Sequence, residues 1–283
     1  MDDNEGHARS AAGNEEPGLV GRSMPSPFAP LGRVVISWVN DMGAATIFFA
    51  KASLQIFRRN QASRILEQLS HIGAKTVGIV SLIGLFTGMV MALQIYYALA
   101  KFGAQGVLGS AVALGLIREL GPVMTAIMII ARAGSSMTAE IGILRISEQI
   151  DALYTMRIDP LGYLVSPRIA AAIVSFPLLT ALFDAVGLIG GYFTGVMLLG
   201  VNSGEYLYQI QAGVDTKDVM GGFLKALIFA VMVSTICCFQ GYFTHMRADV
   251  HGAKSVSLST TAAVVLSCVV VLVGDYVITS FLI

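Results

Sequence analysis

The sequence predicts an all-α polytopic membrane protein with five transmembrane helices, an interfacial amphipathic helix and a short cytoplasmic helix. Of the 283 residues, 55% are hydrophobic and only 13% are charged, whereas soluble proteins average about 25% charge. The charges are also unevenly spaced, because three long stretches contain no Asp, Glu, Lys or Arg. They lie between Lys75 and Lys101, between Lys225 and Arg247, and between Lys254 and Asp275. Apolar runs of about 20 residues are long enough to cross a bilayer.

The composition also excludes several classes of protein, namely soluble enzymes, nucleic-acid binders and disulfide scaffolds. The formal net charge is +0, so no global field attracts a polyanion. The three cysteines, Cys237, Cys238 and Cys268, all lie in apolar runs. There they are expected to pack as small buried hydrophobic residues.

Residues 1–30 differ in composition from the rest of the chain. They hold four of the eight prolines and five acidic residues against Arg9 and Arg22. Such a segment cannot bury enough apolar surface to offset its chain entropy, so we expect a disordered cytoplasmic tail. It lacks the basic start and apolar stretch of a secretory signal peptide.

Residues 31–57 are apolar but interrupted by Asn40, Asp41 and Lys51. Trp38 is a residue type that favours the membrane interface. The pattern predicts an amphipathic helix along the cytoplasmic surface. A true membrane crossing is the alternative.

Five apolar segments are predicted to span the membrane. They are residues 76–100, 121–141, 166–200, 219–244 and 257–282. Pro122 stands where the first turn of a helix tolerates proline. The third segment would be ~52 Å long as a helix, more than one crossing of ~30 Å requires but too short for two, so we expect one helix that starts in the cytoplasm.

The distribution of Lys and Arg predicts the orientation. Nine of these residues lie in the segments 58–75, 145–168 and 245–254, and three lie in 101–118 and 201–218. Cytoplasmic loops carry the excess of positive residues. The N-terminus is therefore expected in the cytoplasm and the C-terminus on the outer side.

Six ionisable residues fall within or at the edges of the apolar segments. They are Glu119, Arg132, Glu140, Asp184, Lys225 and Asp275. Such residues are costly in a bilayer, so each should be paired or face water. For Arg132, Glu140, Asp184 and Asp275, structural pairing between helices is the favoured interpretation.

Arg118, Glu119 and Lys225 are predicted to lie near the outer membrane face. If their two helices face each other, two cations line a cavity with an apolar floor. That combination suits a lipid, with its phosphate on the cations and its acyl chains along the helices. The alternative is that the long side chains simply extend to the interface.

Residues 145–160 predict a short amphipathic helix on the cytoplasmic side. Ile146, Ile150, Leu153 and Arg157 share one face, and Pro160 ends the segment. The helix either lies in the lipid headgroups or is a docking element for a cytoplasmic motor.

Motifs for catalysis are missing. Gly73-Ala74-Lys75-Thr76 ends like a phosphate-binding loop, but the preceding glycine of that motif is absent. His245 and His251 lie near Asp249 without a second group of ligands, so we expect no metal site.

The stretch from Arg118 to Arg168 resembles the signature region of the MlaE (YrbE) family of permeases, which includes a plastid lipid permease of plants. The matching elements follow one another in order along the chain. They are Glu119-Leu120-Gly121-Pro122, Arg132 with Gly134, Ala139-Glu140-Ile141-Gly142, Glu148-Gln149, Asp151-Ala152-Leu153, Asp159-Pro160 and Pro167-Arg168. The resemblance covers about residues 31–283. Family members often have glycine where Arg157 and Ser257 stand here.

The resemblance implies an ABC transporter of the bacterial inner membrane that moves phospholipids between inner and outer membranes and maintains outer-membrane lipid asymmetry. Its membrane subunit would be a homodimer, with a separate cytoplasmic ATPase and a periplasmic MCE-domain ring protein. The chain itself would be non-catalytic and need no cofactor, since ATP and Mg²⁺ bind the ATPase. The family's lipid cavity lies between the two protomers near the outer leaflet.

Residue roles follow from the same resemblance. The helix at 146–158 would be the coupling helix that docks on the ATPase. Its coupling residues would be Glu148, Gln149, Asp151, Leu153 and Arg157. Arg132, Glu140 and Asp275 would have structural or gating roles, and Arg118, Glu119 and Lys225 would bind lipid. The alternatives are an ion- or proton-coupled secondary transporter, with Asp184, Asp275 and Glu140 as relays, and a passive membrane scaffold.

Overall fold

A computed structural model describes residues 29–55, 62–246 and 252–282. The predicted tail up to residue 28, and His251 with Asp249, lie outside the described residues. By its contacts the chain divides into two compact units, Met1–Gly43 and Ala44–Ile283. All the packing described below belongs to the second unit.

Eleven α-helices and no β-strands are found in the described ranges. The helices are α1 (Ala29–Leu54), α2 (Ala62–Ile72), α3 (Val77–Ala100), α4 (Leu108–Gly115), α5 (Gly121–Ile129), α6 (Ser135–Ile146), α7 (Gln149–Thr155), α8 (Ser166–Tyr192), α9 (Ser203–Gly213), α10 (Thr216–Tyr242) and α11 (Ala253–Leu282). The predicted all-α class is therefore confirmed.

Short π-helical turns join several of these helices end to end. They are Leu116–Leu120, Ile130–Gly134, Leu161–Val165 and Phe193–Leu198. With continuous helices counted as one, five segments are long and apolar enough to cross a membrane. These are Ala62–Ala100, Gln105–Ile146, Leu161–Leu198, Thr216–Tyr242 and Ala253–Phe281. The number of predicted spans thus agrees with the structure. The part of α1 from Met42 to Leu54 is also apolar but is shorter than these segments.

The second spanning segment begins well before the predicted residue 121. Helix α4 already starts at Leu108, and the π-helical turn Leu116–Leu120 carries the helix on to Pro122. Arg118 and Glu119 consequently lie inside this segment and do not open it. Proline removes one backbone donor but does not end a helix when the turn before it adapts.

The five segments pack as a bundle whose centre is formed by the second, third and fourth. In the most apolar part of the fourth segment 56% of the residues are buried, against 28% in the first and in the fifth. Helices α3 and α8 approach closely at Gly84, Gly88 and Gly187, because a Cβ on Gly88 would overlap the backbone of Gly187. The first and fifth segments therefore form the flanks of the bundle.

The two ends of the bundle differ in their short helices. Helix α7 connects α6 to the π-helical turn before α8, so we name that end the α7 end. Helix α9 precedes α10 at the opposite end, which we name the α9 end. Asn202 caps α9 by accepting hydrogen bonds from the backbone N–H groups of Gly204 and Glu205, at 2.9 and 3.3 Å.

Candidate functional site

Lys225 is the centre of a buried polar cluster in the half of the bundle nearer the α9 end. Its side chain is 3% exposed. The ammonium donates three hydrogen bonds, to the carbonyl of Arg118 at 2.8 Å, to Glu119 Oε2 at 2.8 Å and to Thr279 Oγ1 at 2.7 Å. An ammonium has three donors, so all are used. Asp275 Oδ1 lies 3.0 Å from Nζ and forms an ion pair with it.

Pro122 and Lys225 both affect the backbone of the π-helical turn Leu116–Leu120. Pro122 directly follows Gly121, whose N–H donates to the Leu116 carbonyl, and as a proline it supplies no further N–H to the turn. The Arg118 carbonyl of this turn accepts a hydrogen bond from Lys225 instead. The lysine in α10 thus supplies a donor to a turn from which the proline in α5 withholds one.

Arg118 itself points away from this cluster. Its Nη2 lies 2.6 Å from Asp218 Oδ1, and its Nε donates to the same oxygen at 2.8 Å. The second oxygen of Asp218 accepts the backbone N–H of Asp215 at 3.0 Å, at the start of α10. The Arg118 side chain is nevertheless 50% exposed.

These contacts change the expected picture of two free cations above an apolar floor. Lys225 is enclosed by Glu119 and Asp275, whereas Arg118 is accessible and has one carboxylate partner. Asp218 and Thr279 complete the arrangement and were not anticipated from the sequence. Asp218 and Thr279 reach Arg118 and Glu119 only because α10 and α11 pack against the second segment.

Glu140 is the centre of a second polar cluster, in the half of the bundle nearer the α7 end. Its two oxygens accept hydrogen bonds from Ser136 Oγ at 2.8 Å and from Arg168 Nη2 at 3.0 Å. His71 Nε2 lies 3.8 Å from Oε1. Arg168 is 6% exposed and also donates to the carbonyl of Leu164 at 2.6 Å. The expected pairing of Glu140 between helices is therefore observed.

Arg132 lies on the π-helical turn Ile130–Gly134, in the same segment as Glu140. Its Nη1 donates to the carbonyl of His71 at 3.1 Å and to Thr76 Oγ1 at 2.8 Å. No ion pair to Arg132 occurs among the described residues. Arg132 thus fixes the first segment against the second through neutral acceptors.

Helix α7 is attached to the ends of two spanning helices. Arg145, at the end of α6, pairs with Asp151 at 2.7 Å and donates to His245 Nδ1 at 3.0 Å. The hydroxyl groups of Tyr154 and Tyr242 are 2.7 Å apart. Ile150 is fully buried. Movement of α7 would therefore be transmitted directly to α6 and α10.

The outward surface of α7 differs in part from the expected one. Glu148, Gln149 and Asp151 are exposed, as expected for docking residues. Leu153 instead packs against the apolar cluster that contains Ile150. Met156, with 67% exposure, takes its place on the outer surface.

Two residues at the ends of α7 have left-handed backbone conformations. Glu148 has φ of 59° and Arg157 has φ of 58°. Glycine adopts this region without steric cost and other residues do not. Arg157 therefore stands at a backbone position that glycine would adopt without strain.

Burial, and then the neighbouring guanidinium of Arg145, lower the pKa of His245 from its ordinary value of 6.5. The neutral ring is therefore favoured at neutral pH, where Nδ1 accepts the hydrogen bond of Arg145. No group of three or more metal-binding side chains occurs in the parts of the chain that the structure describes.

A groove of about 460 Å³ lies between α3 and the π-helical turn Leu116–Leu120. It is formed by six residues of α3 between positions 86 and 95 and by Leu120. Its walls are largely apolar, with Thr87 and Gln94 as polar side chains. Leu120 directly follows Glu119 in the chain, so the groove and the Lys225 cluster share the π-helical turn.

Together these features define a multi-pass α-helical membrane protein with paired charges inside the bundle and a short helix attached across one end. The chain belongs to the MlaE permease family. The family model described as "Permease MlaE" matches residues 65–281.

Similar proteins support this assignment. A probable ABC transporter permease protein of Rickettsia felis is 39% identical over 250 residues, covering 88% of this chain and 95% of the relative. The intermembrane phospholipid transport system permease protein MlaE of Haemophilus influenzae is 39% identical over 256 residues, covering 89% and 95%. The chloroplastic protein TRIGALACTOSYLDIACYLGLYCEROL 1 of Arabidopsis thaliana is 32% identical over 216 residues, covering 76% and 60%.

Proposed function

We propose that this chain is the transmembrane subunit of an ABC transporter that moves phospholipids between the inner and outer membranes. The observation that carries the proposal is the family match over residues 65–281. A second observation supports the proposal, namely 39% identity to a relative named for intermembrane phospholipid transport. The function would maintain the lipid asymmetry of the outer membrane.

The transporter is an assembly in this proposal. Two copies of the chain form a homodimer in the bacterial inner membrane, with the α7 end and the N-terminus in the cytoplasm and the C-terminus in the periplasm. The segment 31–57 lies at the cytoplasmic interface. A separate ATPase binds ATP and Mg²⁺, and a periplasmic MCE-domain ring protein receives or delivers the lipid. The chain itself performs no covalent chemistry.

Arg118 is the proposed contact for the lipid phosphate. Its guanidinium is half exposed, and bidentate donors of this kind suit phosphate oxygens. Lys225 and Glu119 hold the π-helical turn that presents Arg118. The groove beside Leu120 has space for part of an acyl chain.

Helix α7 is the proposed coupling helix. Its exposed residues Glu148, Gln149, Asp151, Met156 and Arg157 would contact the ATPase. Leu153 would act from inside, by holding α7 against the bundle. A motor can shift the lipid cavity between two shapes only by binding those shapes with different affinity. The contacts of Arg145 with Asp151 and of Tyr154 with Tyr242 connect α7 to the bundle, so binding at α7 can favour one of these shapes.

The polar clusters have structural or gating roles. Glu140 with Arg168, and Arg132 with Thr76, fix the first three segments near the α7 end. Asp275 balances the charge of Lys225 near the α9 end. Each of these ion pairs and hydrogen bonds would be strained, or would break and form again, when the bundle changes shape.

The docking role is tested by co-purification of the ATPase. Glu148→Lys with Met156→Lys changes two exposed side chains, neither of which forms an ion pair within the described residues. We expect the ATPase to be lost while the permease keeps its elution volume in detergent. Lys217→Glu, an exposed change at the opposite end, should retain the ATPase. Equal ATPase recovery from all three proteins would refute docking through α7.

The alternative of an ion- or proton-coupled secondary transporter has no support from the relatives, which are named as ABC transporter permeases. Glu140 and Asp275, two of its three proposed relays, are engaged in ion pairs. The third, Asp184, has no ion pair within the described residues.

A further inference from the structure

A second cavity, of about 210 Å³, lies between the second, third and fourth spanning segments. Its lining includes Ile117 from the π-helical turn, Val219 and Phe223 from α10, and Thr180 and Asp184 from α8. Apart from Thr180 and Asp184, the lining side chains are all apolar. Asp184 is thus a carboxylate inside a spanning segment that faces a small apolar chamber.

The two polar side chains of this cavity have no hydrogen-bond partner in the part of the chain that the structure describes. Asp184 Oδ1 and Thr180 Oγ1 are buried and form no hydrogen bond. No ion pair within the described residues reaches Asp184. Buried charges in proteins are normally paired, and ionisable residues inside a membrane mark sites of function by default. The other carboxylates inside the bundle, Glu119, Glu140 and Asp275, all have a cation.

Gly121 makes room for this carboxylate. A Cβ on Gly121 would overlap Asp184 Oδ1, and would lie 2.8 Å from Cγ. The side chain therefore rests directly on the backbone of α5, where no larger residue fits. Its position is fixed by packing, without a hydrogen bond.

The cavity adjoins the proposed phosphate contact. Ile117 and Val219 line it, and they are the immediate neighbours of Arg118 and Asp218 in the chain. Val219 and Phe223 lie in the first two turns of α10. The chamber thus lies in the half of the bundle nearer the α9 end.

We propose that this cavity binds the ammonium group of an amine-bearing phospholipid, with Asp184 as counter-ion and Thr180 as hydrogen-bond acceptor. The inference rests on the proposed function and names its preferred headgroup class. One carboxylate and one hydroxyl are few ligands for Ca²⁺ or Mg²⁺, which take six or more oxygen ligands. An organic ammonium needs fewer polar contacts and favours apolar and aromatic walls such as Phe223.

The test compares two phospholipids with identical acyl chains, phosphatidylethanolamine and phosphatidylglycerol. Full-length permease with its ATPase is equilibrated in mixed micelles containing equal amounts of both, and bound lipid is quantified by mass spectrometry. The wild type should enrich phosphatidylethanolamine about fivefold, which corresponds to ~1 kcal/mol. Asp184→Asn should bring the ratio close to one while the total bound phospholipid stays constant. Glu205→Gln, an exposed change outside the cavity, should keep the wild-type ratio.

A second measurement needs no variant. N-acetylated phosphatidylethanolamine has the same chains and phosphate but no ammonium, and the wild type should not enrich it over phosphatidylglycerol. Equal binding of the two natural lipids by the wild type, or an unchanged ratio in Asp184→Asn, would overturn the ammonium site and leave the proposed function standing. If no phospholipid of any class is retained, both proposals fail.

Discussion

Lys225 shows how one cation can organise several helices inside a membrane. It links the carbonyl of Arg118, the carboxylates of Glu119 and Asp275, and the hydroxyl of Thr279. These groups come from the second and fifth spanning segments, and Lys225 itself lies in the fourth. Removing one member of such a group leaves the others buried without compensation, which costs more than the group contributes while intact.

Replacing Lys225 with Met should therefore destabilise the protein strongly. We expect a loss of about 3 kcal/mol, the lower end of the range for breaking a buried ion pair, because Glu119 is 42% exposed. Lys217→Met, an exposed change on the same helix, should have little effect. Thermal unfolding in detergent, followed by size-exclusion fluorescence, measures both.

A double variant separates charge from packing at this site. Lys225→Met combined with Asp275→Asn removes one of the two uncompensated carboxylates and should recover part of the lost stability. If the double variant is less stable than Lys225→Met alone, the charge account of the cluster is incorrect.

The identity of these polar residues could be predicted from the sequence, whereas their partners could not. Glu119, Lys225 and Asp275 stand out because a charge in an apolar segment is costly. Which carboxylate meets which cation depends on helix rotation and depth, which hydropathy does not encode. Asp218 and Thr279 carried no comparable signal, since polar residues are ordinary near the end of a span.

At the scale of helices, glycine decides how closely α3 and α8 pack. A Cβ on Gly88 would overlap the backbone of Gly187, so no side chain fits on α3 at this position. Membrane helices gain contact area mainly through such small residues, because lipid supplies no hydrophobic force between them. Close van der Waals packing thus stabilises the contact between α3 and α8.

Gly88→Ala should force α3 and α8 apart, because the added methyl group would meet the backbone of Gly187, which cannot yield as a side chain does. We expect a destabilisation of about 1–3 kcal/mol, the usual cost of overpacking. Gly78→Ala lies on the same helix with nothing within 4 Å and should be neutral or slightly stabilising. Melting curves of the two variants that coincide would contradict this packing.

The helices themselves show what a sequence can and cannot reveal. The number of spans followed from the apolar runs. The true start of the second span could not be predicted in this way. Pro122 is a residue typical of the first turn of a helix, and the π-helical turn before it has no sequence signature. The attachment of α7 through Tyr154 and Tyr242 joins residues 88 positions apart, and periodicity reports only local order. Helical periodicity could still have placed Met156 on the outer face of α7.

At the scale of the whole molecule, the bundle combines two polar clusters with an attached helix at one end. Glu140 and Arg168 lie towards α7, and Lys225 with its partners lies towards α9. A movement of α7 reaches α6 through Arg145 and α10 through Tyr242. Because α10 also carries Lys225, the docking end and the proposed lipid end share one rigid helix.

If the proposed function is correct, this chain carries phospholipid only when a separate ATPase drives it. The most direct measurement reconstitutes the chain with its ATPase and periplasmic partner in liposomes and follows fluorescent phospholipid passing to or from acceptor vesicles. We predict transfer that requires ATP hydrolysis and is lost when the ATPase is omitted. Transfer at the same rate without ATP, or none with the full assembly and ATP, would contradict it.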